Sequence, residues 1–295
     1  MVTLNTQSLT TPVGIIRLLE FVLTLITFSL VASVGHTTFS FWAWCMFTWS
    51  FCCFVTLVII ILELTSLNTK VPISWDDFTT AFAMLSTLML LAASVIYPKF
   101  FVCSKCATQI AATVISCVCF GLYATEVGLT RAKPGEISGF LSTVPGLLKV
   151  LETFVACIIF ISLESIGYSK YAGLQWCVAV YSICFIVSLL IILLTIGRLL
   201  ARCPFPLDKC LMGFNVLAVI MYITAVVMWP IYSFNGNPRP SICFSIQQYQ
   251  QYQQYQLYCL WDNLVVVSCM TCINLIAYIV DTVYSVRLVF FVSPA

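Results

Sequence analysis

Apolar residues gather along this chain into eight long runs separated by short polar stretches. The runs are Ile15–Val34, Ala43–Leu64, Phe78–Tyr97, Ile110–Leu129, Leu147–Leu163, Leu174–Ile196, Leu211–Trp229 and Leu264–Tyr284. A bilayer core about 30 Å thick takes about 20 apolar residues per helix, so each run is long enough to cross. Strands of a transmembrane barrel would alternate apolar and polar residues. IIILEL and LLIILL do not alternate, so the runs predict helices. The first run also has the outline of a signal peptide, with Arg17 ahead of an apolar stretch and Ala32-Ser33-Val34-Gly35 after it. A matching run, Leu147–Leu163, stands in mid-chain, where no signal peptide acts, so the first run is read as a span.

Composition removes the soluble alternative. Hydrophobic residues make up 61% of the 295 and charged residues 8%, against about 25% charged in an ordinary soluble domain. The formal charge of +2 excludes a strongly basic nucleic-acid binder. With His36 as the one histidine, His-based catalysis and His-rich metal sites have little to work with. No P-loop, HExxH or GxSxG sequence occurs. No enzyme activity, metal or cofactor is expected.

Lys and Arg set the orientation. Eight spans put both termini on one side. That side holds Arg17, Lys70, Arg131, Lys133, Lys149, Arg198, Arg202, Lys209 and Arg287, and the other holds Lys99, Lys105, Lys170 and Arg239. The bias predicts cytoplasmic termini. Trp42, Trp44, Trp176, Trp229 and Trp261 then fall at outer ends of spans, as an aromatic belt requires.

The chain repeats itself. At a shift of 132 residues Gly14 meets Gly146, Arg17 meets Lys149, Glu20 meets Glu152 and Trp44-Cys45 meets Trp176-Cys177. From Trp44 to Glu63, nine of twenty positions match their partners, where chance gives roughly two or three. The last helix needs an offset of 155, which sets Tyr123 and Glu126 on Tyr278 and Asp281. The difference of 23 residues is an insertion in the last outer loop, containing the Gln/Tyr tract Gln247–Gln256. Each copy has four spans, so the copies share one orientation and inverted repeats are excluded. The expected fold is an all-α integral membrane protein of eight transmembrane helices in two tandem, parallel-repeat four-helix bundles. The expected layout is a tail at 1–14, a repeat at 15–129, a linker at 130–144, a second repeat at 145–290 with its outer loop at 233–261, and a tail at 291–295.

The four-span unit resembles the MARVEL (MAL-related) module. With TPVGIIRLLE, SLVASVG, MFTWSFC, YATEV and TRAKPGEISGFLSTVPGLLKVLETFVACIIF, the tandem resembles the myeloid-associated differentiation marker family over nearly the whole chain. It departs in its short N-terminal tail and in the Gln/Tyr insertion. The resemblance implies a multi-pass plasma-membrane protein that organises cholesterol-rich domains. It further implies roles in small-GTPase targeting, cortical linkage, cell spreading and barrier function. The implied partners are membrane lipids and other membrane or cortical proteins, not nucleic acid. Homo-oligomerisation stays open.

Intramembrane charge is the first place to look for function. Arg17 and Glu20, and again Lys149 and Glu152, are three apart, which sets each pair on one helix face. Glu63, Glu126 and Asp281 are the other carboxylates in or beside spans. One reading is a proton or cation path, with Glu126 and Asp281 lining a channel or transporter. The other is local pairing that anchors register and joins helices. A path needs polar groups at mid-depth, where Asn215 and Asn274 are the main candidates, each suited to an interhelical hydrogen bond of about 0.6–2 kcal/mol. Gly121, Ala124 and Gly128 offer close helix approach, and Pro98 and Pro230 should end spans three and seven.

The cysteines divide by side. Cys243 and Cys259 share the last outer loop in an oxidising compartment, where a disulfide is expected, worth about 3 kcal/mol in the chain-entropy model. Cys103-x-x-Cys106 in another outer loop resembles a redox or zinc half-site without a second pair. Cys203 and Cys210 flank Pro204-Phe205-Pro206 beside basic residues and are either S-palmitoylated or idle thiols. The remaining cysteines read as packing, and the Gln/Tyr tract as an irregular loop. An adhesion or junction role through the outer loops is a further alternative. No N-x-[ST] sequon occurs.

Overall fold

The computed structural model describes residues 7–35, 40–103, 106–131, 143–163, 166–197, 199, 207–235, 244–248, 254–258, 260–287 and 290. Among them lie α1 (Gln7–Thr10), α2 (Pro12–Val34), α3 (Ser40–Leu64), α4 (Trp75–Phe101), α5 (Ala107–Arg131), α6 (Val144–Leu163), α7 (Ala172–Ile196), α8 (Leu207–Phe234), β1 (Phe244–Gln248), β2 (Gln254–Tyr258) and α9 (Leu260–Arg287). Eight of the helices, α2 to α9, are long and apolar enough to span a membrane. The chain divides into two units, Met1–Ser142 and Thr143–Ala295.

In the first unit α2, α3, α4 and α5 pack in a closed ring, each on its sequence neighbours and α2 on α5. In the second unit α6, α7, α8 and α9 close the same ring, with α6 on α9. Short connections between long helices favour this up-and-down arrangement.

Local signals set the ends. Thr11 caps α2, its hydroxyl accepting from Gly14 N–H at 3.0 Å, and Pro12 takes the first helical position. Gly35, with φ 115°, closes α2 in a conformation that favours glycine. Asp76 and Asp77 lie in the first turn of α4, where carboxylates oppose the helix dipole, and Ser74 donates to Asp77 at 2.7 Å. Pro98 and Pro230 do not end their helices. Both lie inside, with α4 running on to Phe101 and α8 to Phe234. A proline near a helix end removes one backbone bond, back to Ser94 or Val226, and the last turn survives that loss.

The faces are inverted relative to a soluble bundle. On α2 the buried residues are Gly14, Arg17, Glu20, Thr24, Thr27 and Val31, spaced three or four apart. Ile15, Leu18, Leu19, Val22, Leu25 and Ile26 point outward. The apolar face meets lipid and the polar face meets other helices, where backbone and side-chain polar groups must be satisfied internally. Gly121 and Gly128, expected at close helix contacts, lie on an open face instead, with no atom within 4 Å of where a Cβ would stand. Gly14 and Gly173 are the close approaches: a Cβ would strike the backbone of α1 at the first and the ring of Tyr232 at the second.

The Gln/Tyr tract, expected to be irregular, contributes to an antiparallel pair. Strands β1 and β2 run in register from Phe244↔Tyr258 to Gln248↔Gln254. Phe, Ile and Tyr favour extended backbone, a local preference that a search for helical period passes over. Cys243 and Cys259 lie outside the described residues, as do Cys203, most of the linker at 132–142 and the C-terminal tail.

Candidate functional site

Each unit holds a cluster of buried charges that joins its helices. In the first unit Arg17 Nε donates to Glu126 Oε1 at 2.6 Å, and its Nη1 donates to Glu63 Oε1 at 2.5 Å. Trp75 Nε1 donates to the same Glu63 oxygen at 3.0 Å. One guanidinium therefore ties α2 to α3 and α5, and the indole adds α4. The planar fork of arginine suits two carboxylates on different helices.

In the second unit Lys149 Nζ donates to Glu152 Oε2 at 2.8 Å and to Asn215 Oδ1 at 2.6 Å. It ion-pairs with Asp281 Oδ2 at 2.8 Å. The ammonium also lies 5.3 Å from the centre of the Phe214 ring and 5.0 Å from that of Tyr278, within cation–π range. Asn215 Nδ2 donates on to Ser285. A compact point charge on a flexible stem fits this convergence of acceptors and rings.

The local pairing read from spacing forms in one unit and not in the other. Lys149 and Glu152 bond as an i, i+3 pair. Arg17 and Glu20 do not. Arg17 reaches the carboxylates of α3 and α5, and the fully buried Glu20 faces the Glu126 carboxyl without a bond from the arginine. Thr195 stands where the repeat would place a second Glu63, so Lys149 has no acid from that helix and turns to its own. Asp281, six residues from Arg287, pairs across the bundle with Lys149. In that dry interior a cross-helix partner outweighs a local one that points toward solvent.

Hydroxyl and aromatic rungs continue each cluster along the bundle. Thr56 and Tyr123 share a hydrogen bond of 2.6 Å, and Ser188 and Tyr278 share one of 3.0 Å. These are equivalent pairs under the offsets of 132 and 155. Trp49 Nε1 donates to Ser116 at 3.1 Å, and Tyr181 and Thr271, the equivalent pair, bond at 2.8 Å. Asn274 Nδ2 donates to Tyr222 at 2.7 Å. Trp229, placed in the outer belt by sequence, is fully buried and donates to Leu264 O at 3.2 Å. Sequence reading missed the rungs. Their signal was present, because hydroxyls and rings recur at the same two offsets as the charges.

The cysteines sort differently. Cys103 and Cys106 form a disulfide, which removes the zinc half-site reading for a pair already bonded to itself. Cys210 is exposed in the first turn of α8. Cys45, Cys52, Cys119, Cys177 and Cys184 are buried as packing residues, whereas Cys117, Cys269 and Cys272 are exposed. Among the described residues no three His, Cys, Asp or Glu side chains converge on a metal position.

Two buried bundles with apolar outer faces define a multi-span membrane-associating protein, and comparison with known proteins agrees. The family model described as "Membrane-associating domain" (MARVEL) matches twice, at residues 8–129 and 140–284. A myeloid-associated differentiation marker homolog of Xenopus laevis is 45% identical, covering 97% of this chain and 95% of its own. The myeloid-associated differentiation markers of Mus musculus and Homo sapiens are 47% and 46% identical, covering 97% and 98% of this chain and 92% of each of theirs. The chain belongs to the myeloid-associated differentiation marker family of tandem MARVEL proteins. No solved structure matches it.

The two equivalent glutamates should respond in opposite ways to loss of charge. Glu152→Gln turns the ion pair with Lys149 into a bond to a neutral amide oxygen and is expected to destabilise by at most about 1.5–3 kcal/mol, the worth of a charge-assisted hydrogen bond. Glu20→Gln exchanges an acid that faces the Glu126 carboxyl and takes no bond from a cation for a neutral amide, so stability should hold or rise. Thermal unfolding in mild detergent compares them. Equal losses would show that Glu20 takes a bond from a cation after all.

Proposed function

We propose that this chain is a non-enzymatic organiser of cholesterol-rich domains in the plasma membrane, acting on lipids and on membrane or cortical proteins through its helix faces and short loops. On this reading it serves small-GTPase targeting, cell spreading and barrier function, and its cortical linkage is indirect because its cytoplasmic loops are short. The observation that carries the reading is the disposition of polar groups. Arg17 and Lys149 are each held by acids of their own bundle, while long apolar faces stand outward on the same helices. A channel or transporter would need Glu126 and Asp281 free to face an ion, and both are bound to the buried cations. The Lys/Arg bias supports cytoplasmic termini.

Three measurements test this together. Epitope tags at both ends should stay hidden from antibody on intact cells; labelling of either would overturn the orientation. In phase-separated vesicles of phosphatidylcholine, sphingomyelin and cholesterol, the purified chain should concentrate in the cholesterol-rich phase by at least about twofold. Proteoliposomes should show no ion or proton flux above that of empty vesicles. Flux, or equal distribution between phases, would overturn the organiser reading.

A further inference from the structure

The Cys103–Cys106 disulfide lies between α4 and α5, outside the spanning segments. Cys106 N–H donates to Cys103 O at 3.1 Å, and Ile110 N–H donates to Cys106 O at 3.0 Å. Cys106 is therefore the residue that opens α5, a helix of 25 residues. Its side chain is 7% exposed, whereas Cys103 is partly open. Lys105 stands between the two in sequence.

The bond does little for the bundle. It closes a loop of four residues, and the loop entropy removed by a crosslink grows with loop length. The second unit closes the same helix ring with Asn235 and Pro238 at the positions 132 residues on, and Tyr258 and Trp261 at those 155 on. What the arrangement provides is a disulfide between a partly exposed cysteine and a buried one at the start of a long helix.

We propose that Cys103–Cys106 is a thiol–disulfide exchange site that takes aliphatic thiols from the aqueous phase. An incoming thiolate attacks the Sγ of Cys103, the more exposed residue of the pair. The S–S bond breaks, its electron pair goes to Cys106 Sγ, and Cys106 leaves as thiolate. There the N–H groups of the first turn of α5 favour negative charge, and a thiol so stabilised is a good leaving group. Cys106 then takes the proton that the incoming thiol gave up. A second thiolate attacks the incoming sulfur of the mixed disulfide, and Cys103 departs as thiolate and is protonated in turn. Two thiols are oxidised to one disulfide, and Cys103–Cys106 is reduced by the same two electrons. A small disulfide runs the steps in reverse. The exchange chemistry rests on this geometry alone, and the compartment whose thiols reach it rests on the orientation proposed above.

The test uses the full-length chain in mild detergent, equilibrated in buffers of graded reduced and oxidised glutathione, alkylated and peptide-mapped. The pair should be half reduced at ratios where a structural disulfide remains oxidised, with an equilibrium constant about a thousandfold more favourable to reduction. Cys106→Ser should trap glutathione on Cys103 as a stable mixed disulfide. Cys103→Ser should trap it on Cys106 at least about tenfold more slowly, because that residue is buried. A pair that stays oxidised across the series, or equal trapping by the two variants, would overturn the proposal. On intact cells, brief mild reduction should expose Cys103 to a membrane-impermeant maleimide. Labelling only after permeabilisation, with exchange intact in detergent, would overturn the orientation and not the exchange site.

Discussion

Lys149→Leu should cost about 3–5 kcal/mol, because it strips the cation from a buried charge group and leaves acids behind. Lys149 is 1% exposed, Glu152 1% and Asp281 0%, so no solvent replaces the lost contacts. The variant leaves Glu152 with the hydroxyl of Ser188 at 3.1 Å and Asp281 without its ion pair. For a unit of about 150 residues such a loss lowers the unfolding temperature on the order of 10 °C. Surface expression should fall with it. Lys149→Leu combined with Glu152→Gln and Asp281→Asn removes both stranded acids, and most of the lost stability should return. Lys149→Arg should not substitute, because a rigid planar fork cannot aim at Glu152, Asn215 and Asp281 together as a compact ammonium does. A Lys149→Leu protein as stable as the parent would refute the cluster as a structural element.

How far sequence reaches is clearest from these residues. Hydropathy and the two offsets sufficed for the eight spans, the duplication and the family. They also set Lys149 against Arg17 and Asp281 against Glu126 as equivalent residues. Partner choice was not legible, because it depends on which helices touch at a given depth. The i, i+3 spacing is the same in both units, but Glu63 stands against Thr195 and Ala83 against Asn215; the arginine bonds acids across the bundle, and the lysine bonds its own Glu152 together with Asn215 and Asp281. The mid-depth rungs escaped for another reason. Tyr123, Tyr181 and Tyr278 count as apolar in a hydropathy scan, yet each is fully or almost fully buried with its hydroxyl bonded across helices. The strands β1 and β2 escaped because a tract of glutamine and tyrosine satisfies the compositional description of an irregular loop.

Arg17 supplies the sharper test, since its observed partners differ from the one its spacing suggests. Arg17→Leu should cost about 3–5 kcal/mol by stranding Glu126, whose side chain is 4% exposed, and Glu63, at 20%. Glu63 keeps its bond from Trp75, so Glu126 carries most of the loss. Arg17→Lys keeps the charge but has one nitrogen for two carboxylates on separate helices. Its cost should be about 1.5–3 kcal/mol, that of one charge-assisted hydrogen bond. Double-mutant cycles then identify the partner. Arg17→Leu with Glu126→Leu should show a coupling of about 1–3 kcal/mol, the range for residues in direct contact. Arg17→Leu with Glu20→Leu should show at least about 1 kcal/mol less, because no hydrogen bond joins those two. Unfolding in detergent, followed by the fluorescence of the chain's seven tryptophans, gives all the needed values from one instrument. If the larger coupling falls on Glu20, the arginine belongs to its own helix and the four-helix tie through Glu63, Glu126 and Trp75 is wrong. If it falls on Glu126, each bundle is held at one end by a buried cation, an arginine that bridges helices in the first unit and a lysine that gathers acceptors in the second.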